Sequence, residues 1–173
     1  MKRLKHTFFL LLFTISSLLL TAQRKIGIDV AAIRNHTTKQ NGINFSAFYF
    51  LNNKLSTGLE INRFFPALRL KHNGSYRISA WDYDWNIHFN NSIGKYWTIY
   101  PLTGISYSFE KEQNQQNAEL IRTGRFYFNA GAGILLNTKR VRPHMEYVLA
   151  TNRKTEHYLL VGISYEFEWR DYR

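Results

Sequence analysis

Between residues 81 and 89 every second side chain is large and apolar, from Trp81, Tyr83 and Trp85 to Ile87 and Phe89, while Asp82, Asp84, Asn86 and His88 lie between them. A period of two puts the two sets on opposite faces of an extended strand. The alternation recurs along the chain. It predicts strands at 25–34 (Ile26, Ile28, Val30 and Ala32 against Gly27, Asp29 and Ala31), 42–51, 55–71, 76–89, 96–109, 124–136, 141–151 and 159–169. The second is the least regular, because Phe48 and Phe50 share a face with Asn44 and Ser46.

Turn chemistry separates these strands. Asn52-Asn53-Lys54 and residues 137–140 read as tight turns, and Asn73-Gly74 as a two-residue hairpin loop. Gly94 can supply the left-handed position of a turn at 90–94, and Arg153-Lys154-Thr155 a three-residue loop. Polar residues 35–41 and 110–122 read as connections, the second being the longest loop. Register adds a constraint. With Asn73-Gly74 as the loop, odd positions of one strand face even positions of the other, yet Leu59, Ile61 and the 81–89 set are all odd. A one-residue offset is therefore required, and Phe64-Phe65-Pro66 is the expected bulge. At 137–140, Leu136 opposite Val141, Ile134 opposite Pro143 and Ala132 opposite Met145 would align both apolar faces without a bulge.

Eight strands make an even count, and no stretch of the mature chain approaches the roughly 20 apolar residues of a membrane helix. Ahead of them stands Met1-Lys2-Arg3-Leu4-Lys5, an apolar run over 8–20 and Thr21-Ala22-Gln23, the parts of an export signal. We expect residues 1–22 to be removed and 23–173 to form one barrel domain, the formal charge falling from +11 to +8. The chain has no cysteine, which excludes disulfides and thiolate chemistry. A basic exported chain points to anionic lipid or polysaccharide, not nucleic acid. The predicted fold is an all-β, eight-stranded antiparallel up-and-down transmembrane barrel with an extended outer hairpin. Its apolar face meets lipid, its polar face lines the lumen, and it sits in the outer membrane of a Gram-negative bacterium. Aromatic belts are expected at Trp97, Tyr165, Phe167 and Trp169 on the periplasmic side and at Phe45, Trp81, Tyr107, Phe109 and Phe126 on the outer side.

On these features the chain resembles the small eight-stranded outer-membrane barrels of the OmpX and OmpA class, and the porin-family barrels of Bacteroidota. Its last strand, Gly162-Ile163-Ser164-Tyr165-Glu166-Phe167, is similar to the signal read by the barrel-assembly machinery, with Gly162, Tyr165 and Phe167 as the matching residues. It departs from that pattern in having Leu160 at the polar lead position and in running on to Arg173.

The lumen face collects Asp29, Glu60, Asp82, Asp84, Glu146 and Glu166 with Arg125, Arg142, His88 and His144. Since an eight-stranded barrel is just wide enough for its side chains to fill, the expectation is a solid core of carboxylate and guanidinium pairs. Arg125 and Arg142 are the cations available to Asp82 and Asp84. A narrow ion path is the alternative within membranes, and a secreted lipocalin-like binding barrel is the alternative outside them. Enzymes exist on such barrels, but no His-x-Ser pattern is present and His157 meets Ser75 only if the outer loops fold together; no catalytic residue, metal or cofactor is expected. Arg69, Lys71, His72 and Arg77 on the outer hairpin form a candidate surface for a phosphate-bearing glycolipid such as lipopolysaccharide, or for a protein partner at an exposed strand edge.

Overall fold

A computed structural model describes residues 25–71, 74–116 and 119–168. The expected export signal, His72, Asn73 and Trp169 lie outside the described residues. The strands are β1 (Lys25–Asn35), β2 (Gln40–Asn52), β3 (Leu55–Lys71), β4 (Gly74–Phe89), β5 (Asn91–Ile93), β6 (Trp97–Asn114), β7 (Leu120–Leu136), β8 (Val141–Thr151) and β9 (Thr155–Glu168). Each pairs antiparallel with its neighbours, and the β4–β6 and β1–β9 ladders close the sheet. The short β5 continues β4 along β6 in one register, so the barrel has eight staves. The break between them falls opposite Pro101, which has no N–H to give the ladder.

Closure leaves no unpaired edge around the middle of the barrel, and the alternation sorts the side chains as predicted. Leu59 and Phe126 are 69% and 68% exposed on the outside, whereas Asn44, Asn86 and Asn129 are buried inside. Ile28, Val30, Phe45, Ile61, Tyr83, Trp85, Ile105, Phe128 and Ile163 extend the exposed apolar band around the circumference. An apolar exterior around a polar interior is the inverse of a lipocalin and removes that alternative. In the belts, Trp97, Phe167, Phe45, Trp81, Tyr107 and Phe126 are exposed, with Tyr165 and Phe109 half-buried.

The bulge is where register demanded it. Phe64 pairs with Ala80 and Ala67 with Ile78, so Phe65 and Pro66 together oppose Ser79. The hairpin loop itself is displaced. Lys71 pairs with Gly74, which puts Gly74 at the start of β4 with φ 131°, a conformation side-chain-bearing residues avoid.

Four further expectations are corrected. Residues 110–114 and 120–122 are strand: β6 and β7 pair out to Gln113 and Leu120. Residues 110–114 are polar on both faces, although the inner face is partly buried, so the alternation that marks a strand in sequence fades there while the backbone ladder continues. The β7–β8 register is two residues from the expected one, with Ala132 opposite Tyr147 and Ile134 opposite Met145. Pro143 cannot donate, and the ladder stops at Leu135–His144, leaving a wider turn; an even displacement keeps both apolar faces aligned. The last loop is Asn152 to Lys154, and the turn at 90–94 tightens to Gly94–Tyr96 with Gly94 left-handed at φ 62°.

The staves are unequal. β3, β4, β6 and β7 have 16 to 18 residues against the about 9–11 that cross a membrane, while β1 and β8 have 11. The long four carry a projecting sheet above the outer belt. Residues 76–80 of β4 pair with 110–114 of β6, joining the two hairpins.

Candidate functional site

The lumen changes character along its axis. At the outer end it is plugged. Phe64 and Ile78, on opposite sides of the β3 bulge, are fully buried, and Phe64 packs on Tyr158 with ring centroids 5.7 Å apart. Glu156, which the sequence reading passed over, gathers the polar groups of this layer: it accepts from Asn35 (2.6 Å), Tyr127 (3.1 Å) and Tyr158 (2.9 Å). The voids here are about 10 Å³ each, room for about one water at most.

Below the plug lies an amide layer. Asn44 donates to Asn62 (2.7 Å), Asn62 to Asp84 (2.7 Å), Asn86 to Glu60 (2.7 Å) and Asn129 to Asn86 (3.2 Å). An amide both donates and accepts, so a ring of them can satisfy buried carboxylates without importing a cation. This corrects the expected guanidinium pairing of Asp82 and Asp84. Asp84 is met by Asn62, and the Tyr158 hydroxyl stands 3.4 Å from Asp82. Arg125 is exposed at the outer rim, and Arg142 is at the other mouth. The four asparagines were legible as inward positions of their strands; what hid them was the assumption that charges pair with charges.

The periplasmic third is open, which corrects the expectation of a filled core. A cavity of about 450 Å³ is lined by residues from the strand ends and tight turns, among them Lys25, Ser56, Ser92, Asn137 and Ser164. Two features hollow it. The inward positions are small, and the aromatics lie flat against glycines. A Cβ on Gly58 would come within 2.3 Å of the Phe48 ring, and one on Gly133 within 2.2 Å of Tyr100. At the mouth, Lys25 and Arg142 both pair with Glu166. Deeper in, His144 Nδ1 lies 3.2 Å from Asp29 and His88 Nε2 3.7 Å from Glu60, neither as a hydrogen bond. Glu146 completes the deep wall, and His88 stands between Phe48 (4.9 Å) and Tyr100 (5.3 Å).

Outside, the projecting sheet has a basic outward face. Register places Arg77 beside Gln113, and Lys111 beside both Ser79 and Arg122; Arg77, Lys111 and Arg122 are all exposed. One row lower, Arg63 stacks on Trp81 (4.6 Å), and Lys111 reaches down over Phe109 (5.8 Å). The predicted hairpin surface is thereby divided. Arg77 belongs to this face. Arg69, beyond the bulge, points to the inner side and donates to the Thr38 carbonyl at 3.2 Å. The side chain of Lys71 and the whole of His72 lie outside the described residues. On the inner side, burial and the neighbouring Glu112 hold the Glu110 carboxyl above its ordinary value of 4.5. His157 is engaged by the Tyr147 hydroxyl (2.7 Å), and its backbone N–H by Thr37.

No protein-family model and no curated protein sequence matches the chain. Solved structures do. The outer membrane protein OprG of Pseudomonas aeruginosa superposes with TM-score 0.65 at 11% identity, over 86% of this chain and 98% of that one. The N-terminal β-barrel domain of OprF from the same organism gives 0.62 at 17%, over 84% and 99%. Ail, the attachment invasion locus protein of Yersinia pestis, gives 0.56 at 14%, over 84% and 97%. The chain has the fold of these small outer-membrane barrels: a closed antiparallel barrel with a lipid-facing girdle.

Proposed function

We propose that this outer-membrane barrel is a non-catalytic surface-interaction protein whose projecting sheet holds phosphate-bearing glycolipid of the outer leaflet. The observation that carries the proposal is the rank of Arg77, Lys111 and Arg122 directly above an aromatic girdle. Apolar girdle residues fix the depth of the barrel in the bilayer, so cations one row higher stand at the level of lipid phosphates. Guanidinium forks and an ammonium group on a flat sheet suit several phosphates at once. Ail has been crystallised with the heparin analogue sucrose octasulfate, a polyanionic sugar, which shows a barrel of this fold accepting ligands of that charge. Arg69 is left out of the site because its guanidinium is spent on Thr38.

The test is binding of lipopolysaccharide to the detergent-purified barrel. The triple variant Arg77→Gln, Lys111→Gln, Arg122→Gln should bind about ten-fold or more weakly and with a flatter salt dependence, each lost contact removing one charge-assisted bond. Unchanged affinity would remove the proposal.

A second surface supports a protein partner. Above Phe128, β7 pairs only with β6 among the described residues, and with the Phe126 carbonyl taken by Asn152 its edge over 120–125 is open to an added strand. Leu120→Pro would weaken such docking while leaving Arg77, Lys111 and Arg122, and with them glycolipid binding, in place.

Export by the residue 1–22 signal and recognition of the last strand by the assembly machinery fit this placement. Gly162 lies on the closing seam, where a Cβ would stand 2.5 Å from that of Ala31, and Tyr165 and Phe167 pack together at 4.6 Å.

A further inference from the structure

We propose that the short turns around the mouth of the periplasmic vestibule form a ring of separate sites for anionic phospholipid headgroups of the inner leaflet. The proposal concerns the end of the barrel opposite the basic sheet and does not depend on the role assigned there.

Each turn ends on a cation, and the apolar girdle begins directly after it. Lys54 precedes Leu55 of β3, Lys95 precedes Tyr96 and the start of β6 at Trp97, and Lys139-Arg140 precedes Val141 of β8. All four cations are exposed. Trp97 and Val141 are exposed on the lipid-facing side of their strands, and Leu55 has the outward parity of Leu59 and Ile61. A long cationic side chain at this height runs its alkyl stem along the apolar edge and delivers its charge at the depth of the lipid phosphates. Lys95 shows the posture, with its ammonium 5.6 Å from the centre of the Tyr96 ring.

No acid in these turns opposes them. Residues 30–59, 85–109 and 120–145, which contain the three turns, have no Asp or Glu. Among the described residues none of the four cations is ion-paired, whereas Lys25 and Arg142 at the same mouth both pair with Glu166. Glu168, exposed at this end, lies on the closing seam opposite Lys25. The turn asparagines are turned inward to the chain itself: Asn52 accepts from the Lys54 N–H at 2.8 Å, and Asn91 donates to the Phe89 carbonyl at 3.1 Å.

Placement selects lipid over a soluble polyanion. The turns are short and continuous with the lipid-facing girdle, so their cations stay level with the leaflet they border. Neighbouring turns are two staves apart, about 10 Å at the usual strand spacing, so each serves a different headgroup and their contributions should add.

The probe is a phosphatidylcholine vesicle containing brominated phosphatidylglycerol, which quenches tryptophan at close range. With Trp81, Trp85 and Trp169 replaced by Phe, Trp97 is the one reporter, at the periplasmic belt. The full barrel, shown to be folded by its heat-dependent gel shift, should prefer phosphatidylglycerol about five-fold at low salt, the worth of one cation beside an anionic headgroup, and less at high salt. Lys95→Gln, nearest the reporter, should remove most of that preference, and the quadruple variant Lys54→Gln, Lys95→Gln, Lys139→Gln, Arg140→Gln all of it. Lys154→Gln, in a loop at the outer end, should leave it unchanged. Equal quenching by brominated phosphatidylcholine and brominated phosphatidylglycerol in the parent, or a preference that survives the quadruple variant, would overturn the proposal. So would saturable capture of soluble polyglutamate in place of any lipid preference.

Discussion

The two ends of the barrel use the same alternation for opposite purposes. At the outer end the inward positions are large or hydrogen-bonding: Phe64, Ile78, Tyr127, Tyr158 and Glu156 close the lumen. At the periplasmic end they are Ser46, Ser56 and Ser164, with Phe48 and Tyr100 laid against glycines, and the lumen stays open. The backbone is continuous across both. The difference teaches that a barrel of eight strands is not filled by its strand number alone. Residue volume at inward positions, layer by layer, decides between plug and pocket.

The largest effect should come from breaking the plug. Phe64→Ala removes a fully buried ring and should lower stability by about 3–5 kcal/mol, measured by urea-induced unfolding in lipid vesicles. Narrowing the contrast from the other side, Gly133→Val forces Tyr100 off the wall and should cost about 1–3 kcal/mol in the same assay. A periplasmic end already packed like the outer one would show no such asymmetry between removing and adding volume. Neutralising Arg77, Lys111 and Arg122 together should leave the unfolding midpoint nearly unchanged, within about 0.5 kcal/mol, because these are exposed side chains. The smallest effect is at Glu110. Its raised folded-state value means that the ionised carboxyl disfavours the folded sheet, so stability falls as pH rises from 4.5 through that value. Glu110→Gln should therefore slow amide exchange in the β6–β7 hairpin at neutral pH and match the parent below pH 4.5.

Much of this was legible in the sequence. Strand faces followed from period two, parity required a one-residue offset, and Pro66 placed it at Phe64-Phe65-Pro66. Where both faces carry polar residues, as over 110–114, the pattern carries no signal and the projecting strands read as loop. Register at the β7–β8 turn was open because displacements of two residues leave every face unchanged. Asp29, Glu60, Asp82, His88 and Glu146 are buried, whereas Arg125 is exposed at the outer rim; which of the candidate lumen residues meet was not legible. Partnering depends on height along the barrel axis, which strand tilt sets, so Arg142 found Glu166 near the mouth and Asp84 found Asn62. The vestibule was hidden for a related reason: cavity volume depends on how Phe48 and Tyr100 lie across glycines of neighbouring strands.

The central claim is a membrane barrel open to one side and sealed to the other. Planar-bilayer recording tests it most directly, with insertion of the purified barrel verified by its heat-dependent gel shift. The structure predicts silence from the parent under voltages of either sign, because the Phe64–Tyr158 plug and the amide layer leave only small voids with room for about one water each. Steady, reproducible single-channel openings would contradict it.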